Sequence, residues 1–388
     1  MTVDDARAAQ EWFLQFATRH TERDALYSRM GLVFAGDQDL ASLLLAARPT
    51  QRNPPLVYAA IHHLLLGGID HPLGEHYATI VAQPRTDDPE PALRDFTTTH
   101  RDAITHLVAT RSTQTNSIER STVLVVLLAR LADEVGPLAL VDVGTSGGST
   151  LLLDRCTHHY VQGRAADTVD VDVLAPASRP QAGSPGHRVV ASPDPLVPPL
   201  DLVTVVDGAV PVPARMPDIA WRLGIDRSPA DLADPDEFRW LLACVWPGDL
   251  PRFRRLQRAL DHVRSQGLPV RRADAVDDLD AVLALVPPDL HACLTTSWVM
   301  NYLTPERQAT FLAGLDEIGT RRDLTLVTFE SPRRTPGLVV PQGWEERDET
   351  VLGWYRWRDG RRHVEHVATA HAHGRWIQWW GEPIVAPA

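Results

Sequence analysis

The chain has 388 residues, of which 44% are hydrophobic and 23% are charged, and its formal net charge is −12. This length predicts two domains, and this composition is typical of globular proteins. The acidic balance argues against a nucleic acid partner, because neutralising phosphates requires a basic surface. No apolar run reaches membrane-spanning length, and the N-terminal MTVDDARAAQ is acidic where a signal peptide is basic. We therefore expect a cytoplasmic protein with no membrane partner.

The first third of the chain is predicted to be helical. AQEWFLQFATRH, DLASLLLAA, PLVYAAIHHLLLGG and residues 118–131 place apolar residues at spacings of three and four. Asp, Ser or Pro precedes these segments, and glycine pairs follow them. This pattern predicts an all-helical domain over residues 1–134 that acts as a lid and binds the substrate.

From residue 135 onward, predicted strands and helices alternate. LALVDVG, LHACLTTSW and DLTLVTFES are predicted strands, and VDDLDAVLALVP and PERQATFLAGLDEIG are predicted helices. Alternation in this order predicts an α/β domain over residues 135–388, with a Rossmann-like, doubly wound parallel sheet. Residues 157–220 are rich in proline, and we expect them to form an insertion with short strands (TVDVDVL, HRVVA, LVTVVDG) outside the central sheet.

The C-terminal segment predicts antiparallel strands. VLGWYRWRDGRRHVEHVATAHAHGRWIQWWG contains alternating runs, and Asp359-Gly360 is a hairpin signal between the first two. We expect these strands to form an antiparallel edge of the sheet.

The stretch LVDVGTSGGSTLLLDR, residues 140–155, is the first candidate for a binding site. A buried strand ends in Asp142, and Gly144, Gly147 and Gly148 fill the turn before a segment with a helical pattern. Glycine lets a ligand approach the backbone closely, and a helix N-terminus favours electron-rich groups. The turn therefore suits a nucleoside, although a glycine turn that only packs a helix on a strand fits the same residues.

Two later carboxylates extend this pattern. Asp226 follows the short apolar run RLGI, where a carboxylate can accept the hydrogens of a ribose diol. Asp274 in VRRADAVDDL is suited to accept from the amino group of adenine. The segment ACLTTSWVMNYLTPERQ then predicts a strand, a polar aromatic loop, and a helix capped by Thr304 and started by Pro305.

These signals together resemble the Rossmann-type methyltransferases that use S-adenosylmethionine. The resemblance covers residues 137–388 and rests on D-x-G-x-x-x-G at 142–148, G-x-D at 224–226, A-D-A at 273–275 and TTSWVMNYL at 295–303. Over its whole length the chain also resembles an actinobacterial family that is known only as a domain of unknown function. The segments that carry this second resemblance are HHLLLGGIDHPL, TRSTQTN and RWLLACVWP.

The methyltransferase resemblance implies roles for individual residues. It places Asp226 at the ribose and Asp274 at the adenine, and it places the loop Ser297–Tyr302, including Trp298, beside the methyl group. Around the methionine and ribose portions of the donor it places Asp142, Gly144, Thr145, Ser146 and Gly147.

The chain departs from the methyltransferase pattern in two ways. Ser146 stands where many members of the superfamily have glycine. The gap from Gly147 to Asp226 is also much longer than the usual ~20 residues, which leaves Asp170 and Asp172 open as alternative ribose ligands.

Acceptor-side residues are less well defined by the sequence. Asn301 and Tyr302, on the loop that faces the donor, are candidates to orient the acceptor, and His62 is a candidate base. Gln114 and Asn116 lie just before a helix that leads into the first strand, so we expect them to contact the substrate, while Asn116 or Ser117 can cap that helix. The sequence thus predicts methyl transfer to a small-molecule acceptor, and it leaves a homodimer open.

Other readings of the same residues stay open. DVGTSGG also resembles the phosphate-binding turn of sugar kinases, although in those proteins the turn joins two antiparallel strands. The chain can equally be a protein that binds S-adenosylmethionine without turnover. Adjacent histidines such as His62 and His63 point in different directions on a helix, so no metal site is predicted.

Overall fold

The computed structural model describes residues 3–114, 116–165 and 186–385. Its internal contacts divide the chain into two compact units, one made of residues 1–116 and 230–257 and the other of residues 117–229 and 258–388. No helix in the described ranges is long and apolar enough to cross a membrane.

Both units contain helices, whose bounds in chain order are α1 (Val3–Arg19), α2 (Ala25–Gly36), α3 (Gln38–Ala41), α4 (Pro54–Leu66), α5 (Glu90–Thr99), α6 (Arg101–Thr110), α7 (Ser121–Val135), α8 (Pro235–Ala243), α9 (Leu250–Gln266), α10 (Leu279–Leu283) and α11 (Pro305–Gly319). The strands of the described residues all lie in the second unit, and their bounds are β1 (Leu138–Val143), β2 (Thr157–Gln162), β3 (His187–Val190), β4 (Asp201–Asp207), β5 (Ile219–Asp226), β6 (Val270–Arg272), β7 (His291–Ser297), β8 (Leu324–Glu330), β9 (Thr350–Arg358), β10 (Arg361–Ala370) and β11 (Trp376–Val385).

In its described part the first unit is helical, as the sequence predicted for the N-terminal region. Asp24 caps α2 by accepting a hydrogen bond from Tyr27 N at 2.9 Å, and Pro54 begins α4. The core of the unit is aromatic: the rings of Phe13 and Phe34 stack with centroids 4.6 Å apart, and Tyr58 packs edge-on against Phe34. Residues 230–257, with α8 and the first part of α9, complete this unit.

The second unit is mixed α/β and is built on one sheet of eleven strands. The strand order is β3-β2-β4-β11-β10-β9-β8-β7-β1-β5-β6. From β6 to β8 all neighbouring strands are parallel, with β1 in the middle of this group. β1 and β8 are buried along their whole length, as expected for apolar runs that are covered on both faces.

Helices cover both faces of the parallel part. Val123 and Leu127 of α7 belong to the same apolar cluster as Leu140 of β1. On the other face, α10 and α11 contribute to a cluster that contains Val141 of β1 and Phe311 of α11. Because β5, β1, β7 and β8 pair in parallel, their carboxyl ends lie side by side at one end of the strands.

The antiparallel strands are correctly predicted, but their predicted position at the sheet edge is wrong. β9 and β10 are joined at Asp359 and Gly360, which have positive φ values of 50° and 73° as a tight hairpin turn requires. However, β9, β10 and β11 lie in the interior of the sheet, because β9 pairs with β8 and β11 pairs in parallel with β4. Pairing on both sides satisfies backbone groups that an edge would leave exposed.

The prediction that residues 157–220 form strands outside the central sheet is also wrong. β2, β3 and β4 belong to the eleven-stranded sheet, which they join through the pairing of β4 with β11. HRVVA and LVTVVDG form strands as predicted, whereas TVDVDVL, with Asp170 and Asp172, lies outside the described residues. The segment STLLLDR forms only a short 3-10 turn, Ser149–Leu152.

Candidate functional site

The glycine turn after β1 is tightly packed. Gly144 has a φ of 71°, and a Cβ there would lie 2.0 Å from Cγ2 of Val299. Gly148 has a φ of 78°, and a Cβ there would lie 2.9 Å from Cγ2 of Val270. Glycine is therefore required at both positions by backbone conformation and by neighbouring side chains.

The amide groups of this turn are directed into the protein. Gly144 N and Thr145 N both donate to Ile225 O, at 2.8 and 3.1 Å, and Gly148 N donates to Thr145 O at 2.8 Å. A phosphate-binding turn needs such amides to point toward the ligand. These three amides are not available to a phosphate group.

Asp142, the last polar residue of β1 before the turn, is 3% exposed. Its Oδ1 accepts a hydrogen bond from the Thr295 hydroxyl of β7 at 2.8 Å. Burial, with a smaller effect of the nearby Asp226 carboxylate, raises the pKa of Asp142 to about 6, against the opposing effects of hydroxyl donors and of the Arg120 charge.

Asp226, at the end of β5, is joined directly to the glycine turn. Its Oδ2 accepts from Ser146 N at 2.9 Å, and its Oδ1 accepts from Ser228 N at 2.8 Å. Gly224 makes this approach possible, because a Cβ there would lie 2.6 Å from Cγ2 of Thr145. The structure thus brings the carboxylate of β5 and the turn of β1 together. Each oxygen of an ionised carboxylate still has capacity for another hydrogen bond.

Asp274 lies two residues after β6 and is engaged differently. Its Oδ1 accepts from Val276 N at 2.8 Å and from the Arg307 guanidinium at 2.6 Å, and its Oδ2 lies 3.4 Å from Nε of Arg227. The Asp274 carboxylate therefore closes a turn and forms ion pairs with both Arg307 and Arg227. No hydrogen bond in the described residues joins Asp274 to the glycine turn.

The loop after β7 is held in an unusual conformation. Trp298 has a φ of 57°, its backbone N donates to Phe329 O at 3.0 Å, and its indole Nε1 donates to Oγ1 of Thr350 at 3.0 Å. Farther along the loop, Tyr302 is 54% exposed, whereas Oδ1 of Asn301 is buried without a hydrogen-bond partner. A left-handed tryptophan held by hydrogen bonds to two neighbours is a strained feature of the kind that occurs at binding sites.

Glu330, the last residue of β8, holds the backbone of this loop by hydrogen bonds. The sequence analysis did not identify this residue. It is 4% exposed, and its Oε1 accepts from Val299 N at 3.1 Å and from Met300 N at 3.4 Å. Burial raises the pKa of Glu330 to about 7, against the effect of these amides and of the Arg120 charge. Its Oε2 is buried without a partner.

Arg120 supplies the positive charge at this edge and was also missed. It is 5% exposed and lies one residue before α7. Its Nη1 donates to the backbone O of Ser297 at 2.8 Å and to Oγ of Ser297 at 3.2 Å, and its Nε donates to Ala372 O at 2.9 Å. Its charge lowers the pKa of both Asp142 and Glu330.

Some buried polar side-chain atoms without a hydrogen-bond partner lie at these strand ends. They include Oδ1 of Asn301 and Oε2 of Glu330. Buried polar groups are almost always paired, because leaving one unpaired costs ~1–3 kcal/mol. We therefore identify the carboxyl ends of β1, β5, β7 and β8 as the candidate functional site.

The remaining predicted site residues lie in the first unit. Nδ1 of His62 lies 3.1 Å from Ala243 O, and Nε2 lies 2.8 Å from Oγ1 of Thr79. Burial lowers the pKa of His62 to about 4, so the ring is neutral near pH 7 and is a weak base. These contacts describe a histidine that joins α4 to the last residue of α8 and to Thr79. Gln114 is half-buried, and the backbone O of Asn116 accepts from Arg252 at 2.8 Å.

The predicted side-chain cap at Ser117 is not formed. The Ser117 hydroxyl donates instead to the Glu119 carboxylate at 2.8 Å, and Ser117 makes no side-chain cap of the following 3-10 turn, Ile118–Arg120. A charged acceptor two residues away competes successfully with the backbone amides for this hydroxyl.

Sequence signals for the missed residues did exist. Glu330 ends a predicted strand with an acid, as Asp142 and Asp226 do. Arg120 places a positive charge at the beginning of a helix, where the helix dipole disfavours it, so another interaction has to hold it there. Reading every strand-terminal acid in the same way would have identified Glu330.

A comparison with protein families gives one match. A family model described as an uncharacterized protein conserved in bacteria (DUF2332) matches residues 10–379, which is nearly the whole chain. No curated protein and no solved structure matches the chain.

Proposed function

We propose that this chain, which belongs to the DUF2332 family of uncharacterized bacterial proteins, binds S-adenosylmethionine and transfers a methyl group to a small molecule. Because the family description names no reaction, the proposal rests on the chemistry of the site. The proposal assigns the donor to the carboxyl ends of the parallel strands in the second unit.

The strand order supports a Rossmann-like interpretation of the parallel part. After β1 the chain first forms β2, β3 and β4 at the far side of the sheet. It then returns to build outward from β1 through β5 and β6, and it crosses to the other side of β1 with β7 and β8. In open α/β sheets, ligands bind outside the carboxyl ends of the strands at the point where this order reverses. Here that point is between β1 and β7, where Asp142 and Thr295 meet.

The observation that carries the proposal is the combination of carboxylates and unpartnered acceptors at this edge. Asp226 and Glu330 end β5 and β8, and Asp142 is the next-to-last residue of β1. Arg120 is the cation that donates to Ser297 O at the end of β7. An acidic, largely buried site favours a ligand that carries positive charge and hydrogen-bond donors. S-adenosylmethionine carries a sulfonium, an ammonium group and a ribose diol.

The chain's own residues would hold the donor as follows. Asp226 would accept from the ribose hydroxyls while it keeps the turn closed through Ser146 N. Asp142 and the hydroxyl of Thr145 would contact the amino acid portion, since both lie at the end of β1. Asp274 is less suited to its predicted adenine contact, because its carboxylate is already shared between a turn and two arginines.

The loop Ser297–Tyr302 would orient the acceptor. Asn301 offers a buried acceptor atom without a partner, and Glu330 holds the loop in place through Val299 and Met300. When bound, the donor supplies a methyl group activated by the sulfonium. The protein's contribution is to align the acceptor with that methyl group and to keep water out.

The kinase alternative is disfavoured by the geometry of the turn. Three amides of the turn donate within the protein rather than outward, and the turn follows a strand whose neighbours are both parallel to it. A phosphate-binding turn between antiparallel strands has neither feature.

The test is a calorimetric titration of the intact protein with S-adenosylhomocysteine and, separately, with ATP and Mg²⁺. We expect S-adenosylhomocysteine to bind and ATP not to bind. Asp226→Ala should weaken S-adenosylhomocysteine binding by at least ~10-fold, because a hydrogen bond to a charged group contributes ~1.5–3 kcal/mol.

Asp207→Ala is the matched control for this titration. Asp207 also ends a parallel strand and accepts a backbone hydrogen bond, from Ala165 N at 2.9 Å, but it lies at β4. The Asp207→Ala variant should bind S-adenosylhomocysteine with the same affinity as the wild type. Binding of ATP without S-adenosylhomocysteine would refute the proposal, whereas donor binding without methylation of any small-molecule acceptor would indicate a protein that binds the donor without turnover.

A further inference from the structure

The loop after β7 presents an aromatic side chain to solvent beside the candidate site. Tyr302 is 54% exposed, whereas every other phenylalanine, tyrosine and tryptophan in the described ranges is buried or half-buried. Large aromatic side chains usually lie in cores or at interfaces, because burying their apolar surface is favourable. The exposed ring of Tyr302 can therefore gain apolar contacts from a ligand.

This loop contacts the glycine turn directly. Val299 packs against Gly144, since a Cβ at Gly144 would lie 2.0 Å from Cγ2 of Val299. Tyr302 follows three residues later, and its backbone N donates to Val299 O at 3.0 Å. The 3-10 turn Met300–Tyr302 thus joins the exposed tyrosine to the residue that packs on the proposed donor site.

The backbone on both sides of Tyr302 is held by buried side chains. Oε1 of Glu330 accepts from Met300 N at 3.4 Å. Gln308, which is 1% exposed, donates from Nε2 to Met300 O at 2.9 Å and to Leu303 O at 3.1 Å. The backbone that carries Tyr302 is therefore fixed before a ligand arrives, which lowers the entropic cost of binding.

The charges at the site favour a neutral acceptor. The proposed donor brings a sulfonium, which repels a second cation nearby, and the carboxylate of Asp226 at the glycine turn disfavours an anion. A neutral ligand with a planar ring can stack on the face of a tyrosine and gain an interaction beyond that of the buried area. An aliphatic ring gains only the burial of area.

We propose that the methyl acceptor is a neutral molecule with an aromatic ring, and that this ring stacks on the side chain of Tyr302. The donor site beside Gly144 makes Tyr302 an acceptor residue, so this assignment rests on the proposed methyl transfer. Stacking uses the ring of Tyr302 and does not require its hydroxyl.

The test measures the binding of benzyl alcohol and of cyclohexylmethanol to the full-length protein by saturation-transfer NMR titration, with and without S-adenosylhomocysteine. The two probes carry the same hydroxymethyl group, but only benzyl alcohol is aromatic. Cyclohexylmethanol has the larger apolar surface, so a surface that is merely apolar would prefer it. We expect benzyl alcohol to bind at least ~3-fold more tightly than cyclohexylmethanol.

Two variants assign this binding to the ring of Tyr302. Tyr302→Leu keeps an apolar side chain but removes the aromatic face. It should weaken the binding of benzyl alcohol about 3- to 10-fold, which is the range that pairs of aromatic rings contribute beyond buried area. Tyr302→Phe keeps the ring and should bind benzyl alcohol like the wild type. Because the side chain is exposed, neither substitution removes core packing.

Trp344→Leu is the matched control variant. Trp344 is a half-buried aromatic residue in the segment between β8 and β9, and the Arg347 guanidinium lies 4.2 Å from the centre of its ring. The Trp344→Leu variant should bind benzyl alcohol like the wild type. Equal binding by the wild type and Tyr302→Leu, tighter binding of cyclohexylmethanol, or no binding of benzyl alcohol would each overturn the aromatic acceptor.

The titrations with and without S-adenosylhomocysteine separate the two proposals. If S-adenosylhomocysteine binds and Tyr302→Leu binds benzyl alcohol like the wild type, the aromatic acceptor is refuted and the methyl transfer is not. If benzyl alcohol binding depends on Tyr302 but S-adenosylhomocysteine does not bind, the methyl transfer is refuted and the aromatic binding site at Tyr302 is retained.

Discussion

The pKa of Glu330 predicts a specific dependence of stability on pH. Burial raises this pKa from 4.5 to about 7, so between these values the folded protein retains a proton that the unfolded chain has released. The free energy of unfolding must therefore fall as the pH rises from 4.5 to 7. A change of this size corresponds to a loss on the order of 3 kcal/mol, at 1.36 kcal/mol for each pKa unit.

Glu330→Gln isolates this contribution, because glutamine does not titrate and preserves an acceptor for the two loop amides. We expect the stability of the variant relative to the wild type to rise by about 3 kcal/mol between pH 4.5 and pH 8. The measurement is urea unfolding of both proteins across this range by tryptophan fluorescence, with the m-values compared to check that the same surface is exposed. A difference between the two proteins that does not change with pH would refute the assignment of a protonated, buried Glu330.

Two further predictions concern packing at the same edge. Gly144→Ala should lower the free energy of unfolding by at least ~2 kcal/mol more than Gly136→Ala. Both glycines have a positive φ, but a Cβ at Gly144 would lie 2.0 Å from Val299, whereas nothing lies within 4 Å of a Cβ at Gly136. The midpoints of thermal unfolding compare the two variants, and equal losses of stability would contradict this packing. Arg120→Met should cost ~2–4 kcal/mol in urea unfolding, because it removes the donors to the backbone of Ser297 and leaves buried acceptors unpaired, and a change below ~1 kcal/mol would contradict a structural role for this arginine.

Local sequence patterns predicted most elements of the second unit. Apolar runs identified β1, β7 and β8, and the Asp359-Gly360 pair identified the turn between β9 and β10, because both signals depend only on neighbouring residues. The Thr304 cap of α11 is confirmed for the same reason: its side chain accepts from Arg307 N.

Long-range pairing was not predictable in this way. Whether β11 lies at an edge or in the interior depends on β4, whose partner residues are far away in the chain, and nothing in either segment specifies the other. The contacts of Asp274 are similar, since Arg307 reaches it from α11. The sequence shows an acidic residue after a strand but does not show which basic side chain will pair with its carboxylate.

Site residues that lie at the ends of predicted strands could be identified from the sequence. Asp142, Asp226 and the loop after β7 were found because each follows an apolar run. The roles of Glu330 and Arg120 can be recognised only from three-dimensional contacts. Glu330 accepts hydrogen bonds from amides some thirty residues away, and Arg120 donates to the backbone of Ser297 at the end of β7.

The pairing of β4 with β11 has a consequence for synthesis of the chain. Val205 of β4 is paired with Trp376, so the hydrogen bonds that connect β2, β3 and β4 to the rest of the sheet cannot form until the ribosome has made residues far downstream. Until then, one side of β4 has no partner in the nascent chain, and an unpaired strand of this kind is prone to associate with other chains. Chaperone dependence during translation should therefore be concentrated on this segment.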